Sequence, residues 1–275
     1  MAWLSSLLGG LLAFIVGDLI RVRRRHVVDS MRRAGIADPE RNASAMYRSL
    51  GRALFDLAFA PWLLRRVQID PRAISLASER GAVIATAHTG SFDLVACAAA
   101  RALSFTVVTK RLSIRFLDGI WQGWRSGRGV SLVAAGDAAR AARRALASGG
   151  CVAMIFDQAP ERERGTVLAP FLGQIARVDL APALIAARAR VPLLVVLARR
   201  TPDGDHRAEL VLALEPPARP EARRAWAEAA MVAATAELDA LVRRHPDQWL
   251  WMHRRWKDAP AAAAPSFGPS AVEMR

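Results

Sequence analysis

The fold is indicated most clearly by the segment Ala82-Val83-Ile84-Ala85-Thr86-Ala87-His88-Thr89-Gly90-Ser91-Phe92-Asp93. Its first six residues form an apolar run that is typical of a buried strand, and the apolar spacing that begins at Asp93 predicts a helix. His88 is therefore expected where a strand ends, and Asp93 in the first turn of the next helix.

The spacing of His88 and Asp93 suits acid–base chemistry. A carboxylate beside a histidine fixes the tautomer of the ring and stabilises its cation, as a general base acting on a hydroxyl requires. Gly90 and Ser91 predict a tight turn and a helix N-cap, and the N–H groups of the first helical turn attract negative charge such as a forming oxyanion. A hydrogen-bonded surface histidine at a strand end is the alternative.

The rest of the chain continues the alternation of strands and helices. The predicted strands are 82–87, 105–109, 130–133, 151–156, 193–197 and 208–214, and the predicted helices are 92–103, 112–125, 137–147, 180–190 and 220–244, with one or two more over 39–64. This alternation predicts an α/β fold with a mainly parallel central sheet flanked by helices.

The N-terminal segment differs in composition from the rest of the chain. Residues 2–17 carry no charge and would make a helix about 24 Å long, against a hydrocarbon core of roughly 30 Å. The arginines come after this run, whereas a signal peptide carries its charges before it. The order predicts a retained N-terminal membrane-anchoring helix whose basic cluster stays on the cytoplasmic side. An apolar helix packed on the domain is the alternative. The expected membrane contacts are Trp3, Leu7, Leu11, Phe14, Arg21 and Arg24.

The composition divides the chain into three regions. Residues 1–25 are predicted to be the anchor and basic cluster, residues 26–257 the main domain, and residues 258–275 a disordered Ala/Pro/Ser tail.

The net charge of the chain indicates which classes of partner it could bind. The net charge is +14 and the sequence pI is about 11.4, which favours nucleic acid, an anionic membrane or an acidic carrier protein. No nucleic-acid partner is predicted, because the sequence lacks zinc-ligand spacing, a recognition-helix signature and an aromatic RNA-binding motif. No metal-ligand cluster and no phosphate-binding glycine loop occur, so neither a metal nor another cofactor is expected.

Polar residues also occur near the ends of other predicted elements. Arg125 ends a predicted helix, and its planar guanidinium suits a phosphate or a thioester oxygen. Asp157 and Gln158 lie at the carboxyl edge of the sheet, where open parallel sheets place their sites.

Two aromatic segments each allow two interpretations. Phe171 and Gly173 form either the mouth of an apolar groove or a packed tight turn. Trp249, Trp251 and Trp256 alternate with cations, which suits either a lipid headgroup boundary or a structural cap over the sheet.

Taken together, these segments and their order resemble the bacterial late lipid A (lauroyl/myristoyl) acyltransferases of the lysophospholipid acyltransferase superfamily. The resemblance spans about Arg21 to Lys257. The usual family form of the first block is His-x-Gly-Asn-Trp-Glu, and here Ser91, Phe92 and Asp93 stand in its last three positions.

The resemblance implies a reaction and a location. A fatty acyl chain would move from an acyl carrier protein or CoA thioester to a hydroxyl of a lipid A precursor or related glycolipid, at the cytoplasmic face of the bacterial inner membrane. His88 would be the general base and Asp93 its partner. The implied substrate-binding residues are Gly90, Ser91, Arg125, Asp157 and Gln158.

The acceptor and the class of function stay open at this point. Another glycolipid or an aminolipid is an alternative acceptor. A non-catalytic basic membrane adaptor is an alternative of another class. A serine hydrolase that uses Ser91 is disfavoured, because no Gly-x-Ser-x-Gly elbow surrounds that residue.

Overall fold

The computed structural model describes residues 2–110 and 115–257. The helices are α1 (Ala2–Ala13), α2 (Arg24–Arg33), α3 (Pro39–Ala58), α4 (Ala60–Leu63), α5 (Pro71–Arg80), α6 (Phe92–Ala99), α7 (Arg115–Ser126), α8 (Ala138–Ala147), α9 (Ala181–Ala189) and α10 (Arg223–Arg244). A π-helical segment, Phe14–Leu19, continues α1. The predicted tail 258–275 and the predicted helical residues 112–114 lie outside the described residues.

The strands are β1 (Val67–Ile69), β2 (Ala82–Thr86), β3 (Phe105–Thr109), β4 (Ser131–Ala134), β5 (Cys151–Ile155), β6 (Thr166–Phe171), β7 (Gln174–Asp179), β8 (Leu193–Arg200) and β9 (His206–Leu214). Seven of them form one sheet in the order β1-β9-β8-β2-β5-β3-β4. The β8–β9 pair is antiparallel, and the other neighbours in this sheet are parallel. The predicted α/β fold with a mainly parallel sheet is confirmed.

The two faces of this sheet contribute to different cores. Val83, Val152 and Val195 point to one face, where α9 and α10 pack. Ile84 and Ala153 alternate with them and point to the opposite face, beneath α5 and α6. Strands that are apolar on both faces are expected of a sheet covered by helices on both sides.

A β-hairpin, which the sequence did not predict, stands apart from the main sheet. β6 and β7 pair antiparallel, and Leu172 and Gly173 form the turn with φ of 51° and 76°. Two successive positive φ values fit a two-residue turn between twisted strands. Pro170 hid this strand in the sequence, because proline is rare in strand interiors.

The N-terminal helix packs on α3 through small residues. Ser5, Gly9, Ala13 and Gly17 are buried, each four positions after the last, and so lie on one helix face. A Cβ added at Gly9 would lie only 2.5 Å from the backbone nitrogen of Arg52. The boundary predicted after residue 25 falls inside α2.

The other face of this helix is apolar and exposed. Trp3 is 70% exposed, Leu7 61%, and Leu11 and Phe14 57% each. By length and composition Ala2–Leu19 could cross a membrane. The structure thus combines the two interpretations of this segment: α1 packs on the domain and also presents an apolar surface.

Candidate active site

His88 lies just beyond the carboxyl end of β2, in the middle of the sheet. Its backbone carbonyl accepts a hydrogen bond from the Leu250 N–H at 3.1 Å, and Thr89 forms an isolated bridge with Trp249. The C-terminal segment therefore holds the strand end that carries the histidine. The predicted place of His88 at a strand end agrees with this geometry.

Asp157 is the carboxylate that contacts the His88 ring. Its Oδ1 lies 2.9 Å from Nδ1 of His88, and its Oδ2 accepts the His88 backbone N–H at 3.0 Å and the Trp249 indole N–H at 2.8 Å. Asp157 is fully buried. Because an ionised carboxylate accepts and cannot donate, Nδ1 carries the proton and Nε2 keeps its lone pair.

Burial and charge act in opposite directions on this pair. Burial by itself lowers the pKa of His88, but the Asp157 charge and hydrogen bond, together with Asp93, raise that pKa above its usual 6.5. For Asp157, burial by itself raises the pKa, but the contacts with His88 outweigh burial and hold that pKa well below its usual range. The pair is built to stabilise an imidazolium cation.

Asp93 does not make the contact with His88 that the sequence spacing suggested. Its carboxylate accepts the Trp121 indole N–H at 2.9 Å and pairs with Nη1 of Arg125 at 3.2 Å. The strand register explains why Asp157, and not Asp93, contacts His88. β2 and β5 pair in parallel with Thr86 opposite Ile155, so the same register two residues later sets Asp157 beside His88. Asp93 instead faces α7.

The Arg125 guanidinium is bound to side chains that form the wall of the site. Its side chain is only 7% exposed, and besides Asp93 it donates to Thr109 at 3.2 Å and to Gln122 at 2.7 Å. Burial raises the pKa of Asp93, and the Arg125 charge works against that rise. The guanidinium therefore balances the Asp93 charge, while its positive field reaches His88 and lowers the pKa of that ring.

Gln158 lies on the Nε2 side of His88. Its amide nitrogen is 3.5 Å from Nε2 of His88 and 3.1 Å from Nε2 of His253. The two imidazole rings are 4.9 Å apart, and Phe92 packs edge-on against His88 at 5.0 Å. The structure thus brings Gln158 to the Nε2 side of the ring, together with His253, which the sequence suggested only as one of the cations beside the C-terminal tryptophans.

The Ser91 hydroxyl is bound in a buried ionic cluster and makes no hydrogen bond with His88. Its hydroxyl donates to Asp56 at 2.8 Å and accepts from Arg200 at 2.7 Å, and Ser5 donates to the same carboxylate at 2.5 Å. Ser91 occupies the N-cap position of α6, but its side chain makes no capping hydrogen bond. The predicted side-chain cap was wrong, because the hydroxyl donates to Asp56 and its oxygen accepts from Arg200 instead of from the helix N–H groups.

Gly90 has a conformational role. Its φ is 53°, and an added Cβ would lie 2.9 Å from Cα of Arg199 in β8. Its backbone N–H donates to the Gln248 carbonyl at 2.9 Å and so is already occupied. The turn predicted for this position is present, and it lets the loop after β2 pass close to β8.

An apolar cavity opens beside the histidine. Its volume is about 1170 Å³, and its wall includes His88, Asp93, Arg125 and Gln158 as well as Lys110. Its apolar lining comes from the sheet face beneath α6 and from helices α1, α3, α5 and α6, including Leu12, Leu54, Ile74, Ile84, Val95, Ala99 and Val107. Such a mixture of hydrocarbon wall and few polar groups is typical of a site for a large apolar ligand.

The C-terminal tryptophans form a structural cap. Trp249 and Trp251 are each 1% exposed and pack edge-on at 4.8 Å, and Trp256 stacks on Phe171 at 6.1 Å. For Trp249 and Trp251 the interpretation as a structural cap therefore holds, and burial excludes these two indoles from a lipid boundary. Phe171 is fully buried in this cluster, so the packing interpretation of that residue holds.

The sequence left several partners of the site unidentified. Asp56 and Arg200 form a buried ion pair at 2.6 Å, and nothing local in the sequence marks either residue. His253 and Trp249 carried a signal, since both lie in the aromatic C-terminal block. Within residues 2–110 and 115–257, no group of three or more His, Cys, Asp or Glu side chains is placed to hold a metal ion.

Residues 37–258 match the family model of the bacterial lipid A biosynthesis acyltransferases. No curated protein matches the sequence. Among solved structures, the chain is similar to the 1-acyl-sn-glycerophosphate (LPA) acyltransferase PlsC from Thermotoga maritima, at 16% sequence identity. That match covers 87% of this chain and 100% of the other, with a TM-score of 0.41.

Proposed function

The chain belongs to the bacterial lipid A biosynthesis acyltransferase family, and we propose that it transfers a fatty acyl chain from a thioester to a hydroxyl of a lipid A precursor or related glycolipid. The observation that carries this proposal is the place of His88. One ring nitrogen is bound to a buried carboxylate, and the ring lines an apolar cavity of about 1170 Å³.

The proposed reaction uses His88 as a proton carrier. Its Nε2 takes the proton of the acceptor hydroxyl while that oxygen adds to the thioester carbonyl carbon, which gives a tetrahedral oxyanion. The oxyanion then collapses, the C–S bond breaks, and the departing thiolate takes the proton back from Nε2. Throughout, Asp157 keeps the proton on Nδ1 and balances the transient charge of the ring.

Asp93 and Arg125 support this chemistry from the cavity wall. Both line the cavity, and their ion pair is almost fully buried. In the proposal Asp93 adds to the negative potential that favours the His88 cation, and Arg125 supplies positive potential near the thioester or an acceptor phosphate. Gln158 places its side-chain amide nitrogen 3.5 Å from Nε2 of His88.

The proposed donors are thioesters of an acidic acyl carrier protein or of CoA. A net charge of +14 favours association with either anionic donor and with anionic lipids. Such attraction falls with salt, because the screening length is only about 8 Å at physiological ionic strength.

The proposed location is the cytoplasmic face of the bacterial inner membrane. The exposed apolar face of α1 would enter the lipid, with Arg21 and Arg24 at the headgroups. Exposed aromatic side chains also occur at Trp62 on α4 and at Phe116 on α7, and both of these helices contact α3, as α1 does. Because α1 also contributes Leu12 to the cavity wall, an acyl chain bound there would lie next to the bilayer.

A His88→Ala variant tests the proposal against a non-catalytic adaptor. We expect purified wild-type protein in detergent to release free thiol from myristoyl-loaded carrier protein when a bacterial inner-membrane lipid extract is added. The variant should lose at least a thousandfold in rate and still bind vesicles. Equal rates for the two proteins would overturn the proposal, and mass spectrometry of lipids from cells with and without the gene would identify the acceptor.

Ser91→Ala separates this reaction from a serine hydrolase. The Ser91 hydroxyl is bonded to Asp56 and Arg200, so its loss should affect stability more than turnover. Loss of all turnover in a folded Ser91→Ala protein, with covalent trapping of wild-type Ser91 by a fluorophosphonate, would favour the hydrolase.

A further inference from the structure

Gln158 and His253 form a contact that the mechanism above leaves unused. The Gln158 amide nitrogen is 3.1 Å from Nε2 of His253, a normal hydrogen bond, and 3.5 Å from Nε2 of His88, which is a loose contact. One of the two amide hydrogens is thus well bound, and the other points to the reactive ring without being firmly held.

The proton inventory fixes which way this amide faces. Nδ1 of His88 is protonated because it contacts the Asp157 carboxylate, so Nε2 of the neutral ring can only accept. An amide oxygen at this place would face that lone pair, so the nitrogen must face it. Since the same nitrogen contacts Nε2 of His253, that ring also accepts, and its own proton lies on Nδ1.

We infer that His253 is a positioning residue that holds the Gln158 amide as a hydrogen-bond donor to the oxyanion formed in acyl transfer. The inference rests on the proposed function. When the acceptor hydroxyl occupies Nε2 of His88, the loosely held N–H of Gln158 becomes free to meet the carbonyl oxygen. A donor fixed before the reaction stabilises developing charge without reorganising.

Burial and neighbouring positive charge keep the His253 ring neutral. Burial is the largest cause that lowers the pKa of this ring to about 4; His88, Arg23 and Lys110 lower it as well, and Asp157 works against them. A neutral ring at physiological pH accepts the amide hydrogen, whereas a cation could not. The groups that face His88 are Asp157, Asp93, Arg125 and His253.

The backbone around His253 is held independently of its ring. The His253 carbonyl lies 3.1 Å from Nε2 of His26, and the Met252 carbonyl accepts from Arg23 at 2.8 Å. Truncation of the ring should therefore leave the segment in place. This separation makes the inference testable by substitution.

The test compares kcat, KM and pH profiles for thiol release from myristoyl-loaded carrier protein. Gln158→Leu should lower kcat by about 10²–10³, the usual loss for one oxyanion donor. His253→Ala should lower kcat at least tenfold with KM and the acid limb unchanged, and His253→Gln should restore much of it, because its Oε1 can accept the same hydrogen. His245→Ala is the matched control, since that histidine is not among the residues that line the cavity.

A second readout does not depend on turnover. Imidazole ¹⁵N NMR should show His253 neutral at pH 5.5 with its proton on Nδ1, assigned by loss of the signal in His253→Ala. A proton on Nε2 of that ring would overturn the inference.

The outcomes separate the inference from the proposed function. If wild type outpaces His88→Ala but His253→Ala matches wild type, the inference is wrong and the proposed function stands. If His253→Gln is as slow as His253→Ala, positioning through a hydrogen bond is also wrong. Equal rates for wild type and His88→Ala would overturn both.

Discussion

Replacing Asp157 by asparagine tests the central pairing of the site. Asn has nearly the same shape, but one carboxylate oxygen becomes an NH₂ group. Oδ2 of Asp157 accepts two N–H groups, from the His88 backbone and from Trp249, whereas Oδ1 meets only the ring. The asparagine oxygen should therefore stay at the Oδ2 position, with its NH₂ directed at the His88 ring.

The ring then changes its tautomer. An NH₂ group that donates to Nδ1 moves the ring proton to Nε2, so the nitrogen that faces the cavity loses its lone pair. We expect kcat to fall by about 10³–10⁴, as for a triad carboxylate changed to an amide, or about 4–5.5 kcal/mol in activation free energy. Stability should change by only about 1 kcal/mol, because the two N–H donors remain satisfied.

The pH profile gives a second test with a definite sign. A base must be unprotonated, so activity falls as pH drops through the pKa of His88, which lies above 6.5 in the wild type. Asp157 makes the largest contribution that raises this pKa. Its removal should move the acid limb of residual activity to lower pH, and further than Asp93→Asn does.

The assay is thiol release from the myristoyl thioester, with urea unfolding to check the fold. Asp239→Asn is the matched control, since that carboxylate also accepts a backbone N–H but lies on α10 and is not among the residues that line the cavity. A folded Asp157→Asn protein with kcat within tenfold of wild type would refute the assignment. If the acid limb of the pH profile moves to lower pH by more in Asp93→Asn than in Asp157→Asn, Asp93 is the carboxylate that sets the pKa of His88.

Packing and burial give three further expectations. Gly9→Ala should destabilise the fold by about 1–3 kcal/mol in urea titrations, because the new Cβ meets the backbone of α3 at 2.5 Å. Gly10→Ala, with open space around the Cβ, should be neutral or slightly stabilising, and equal effects would contradict this packing. Leu7→Asp and Leu11→Asp should each weaken binding to anionic vesicles at least tenfold, since burying one leucine contributes about 1.5–3 kcal/mol; unchanged co-sedimentation would remove α1 from the membrane surface. His206→Gln should reduce the loss of stability on acidification. Burial lowers the pKa of His206 to about 4 in the folded protein, whereas the ring in the unfolded chain takes up a proton near pH 6.5. Between these two values protonation favours the unfolded chain, which costs the wild type about 2 kcal/mol at pH 5. If the urea midpoint falls by the same amount between pH 7.5 and pH 5 in the wild type and in His206→Gln, that account is wrong.

Much of the fold could be predicted because its signals are local. The apolar run 82–87 and the glycine turn after it place His88 at a strand end, and β2 with its following helix is found there. Apolar runs identify strands whether or not their neighbours are known. The hairpin β6–β7 was not predicted, because Pro170 interrupts the strand pattern of β6 and the two strands form a separate small sheet.

Local patterns in the sequence identify an apolar N-terminal helix and the groups that could do chemistry, which are an imidazole at a strand end and carboxylates near strand and helix ends. Which carboxylate binds the ring depends on the packing of the whole sheet. Asp93 is five residues from His88 and Asp157 is 69 residues away, yet the parallel register of β2 and β5 gives the contact to Asp157. Strand register is fixed by core packing across the whole sheet, so spacing along the chain carries no record of it.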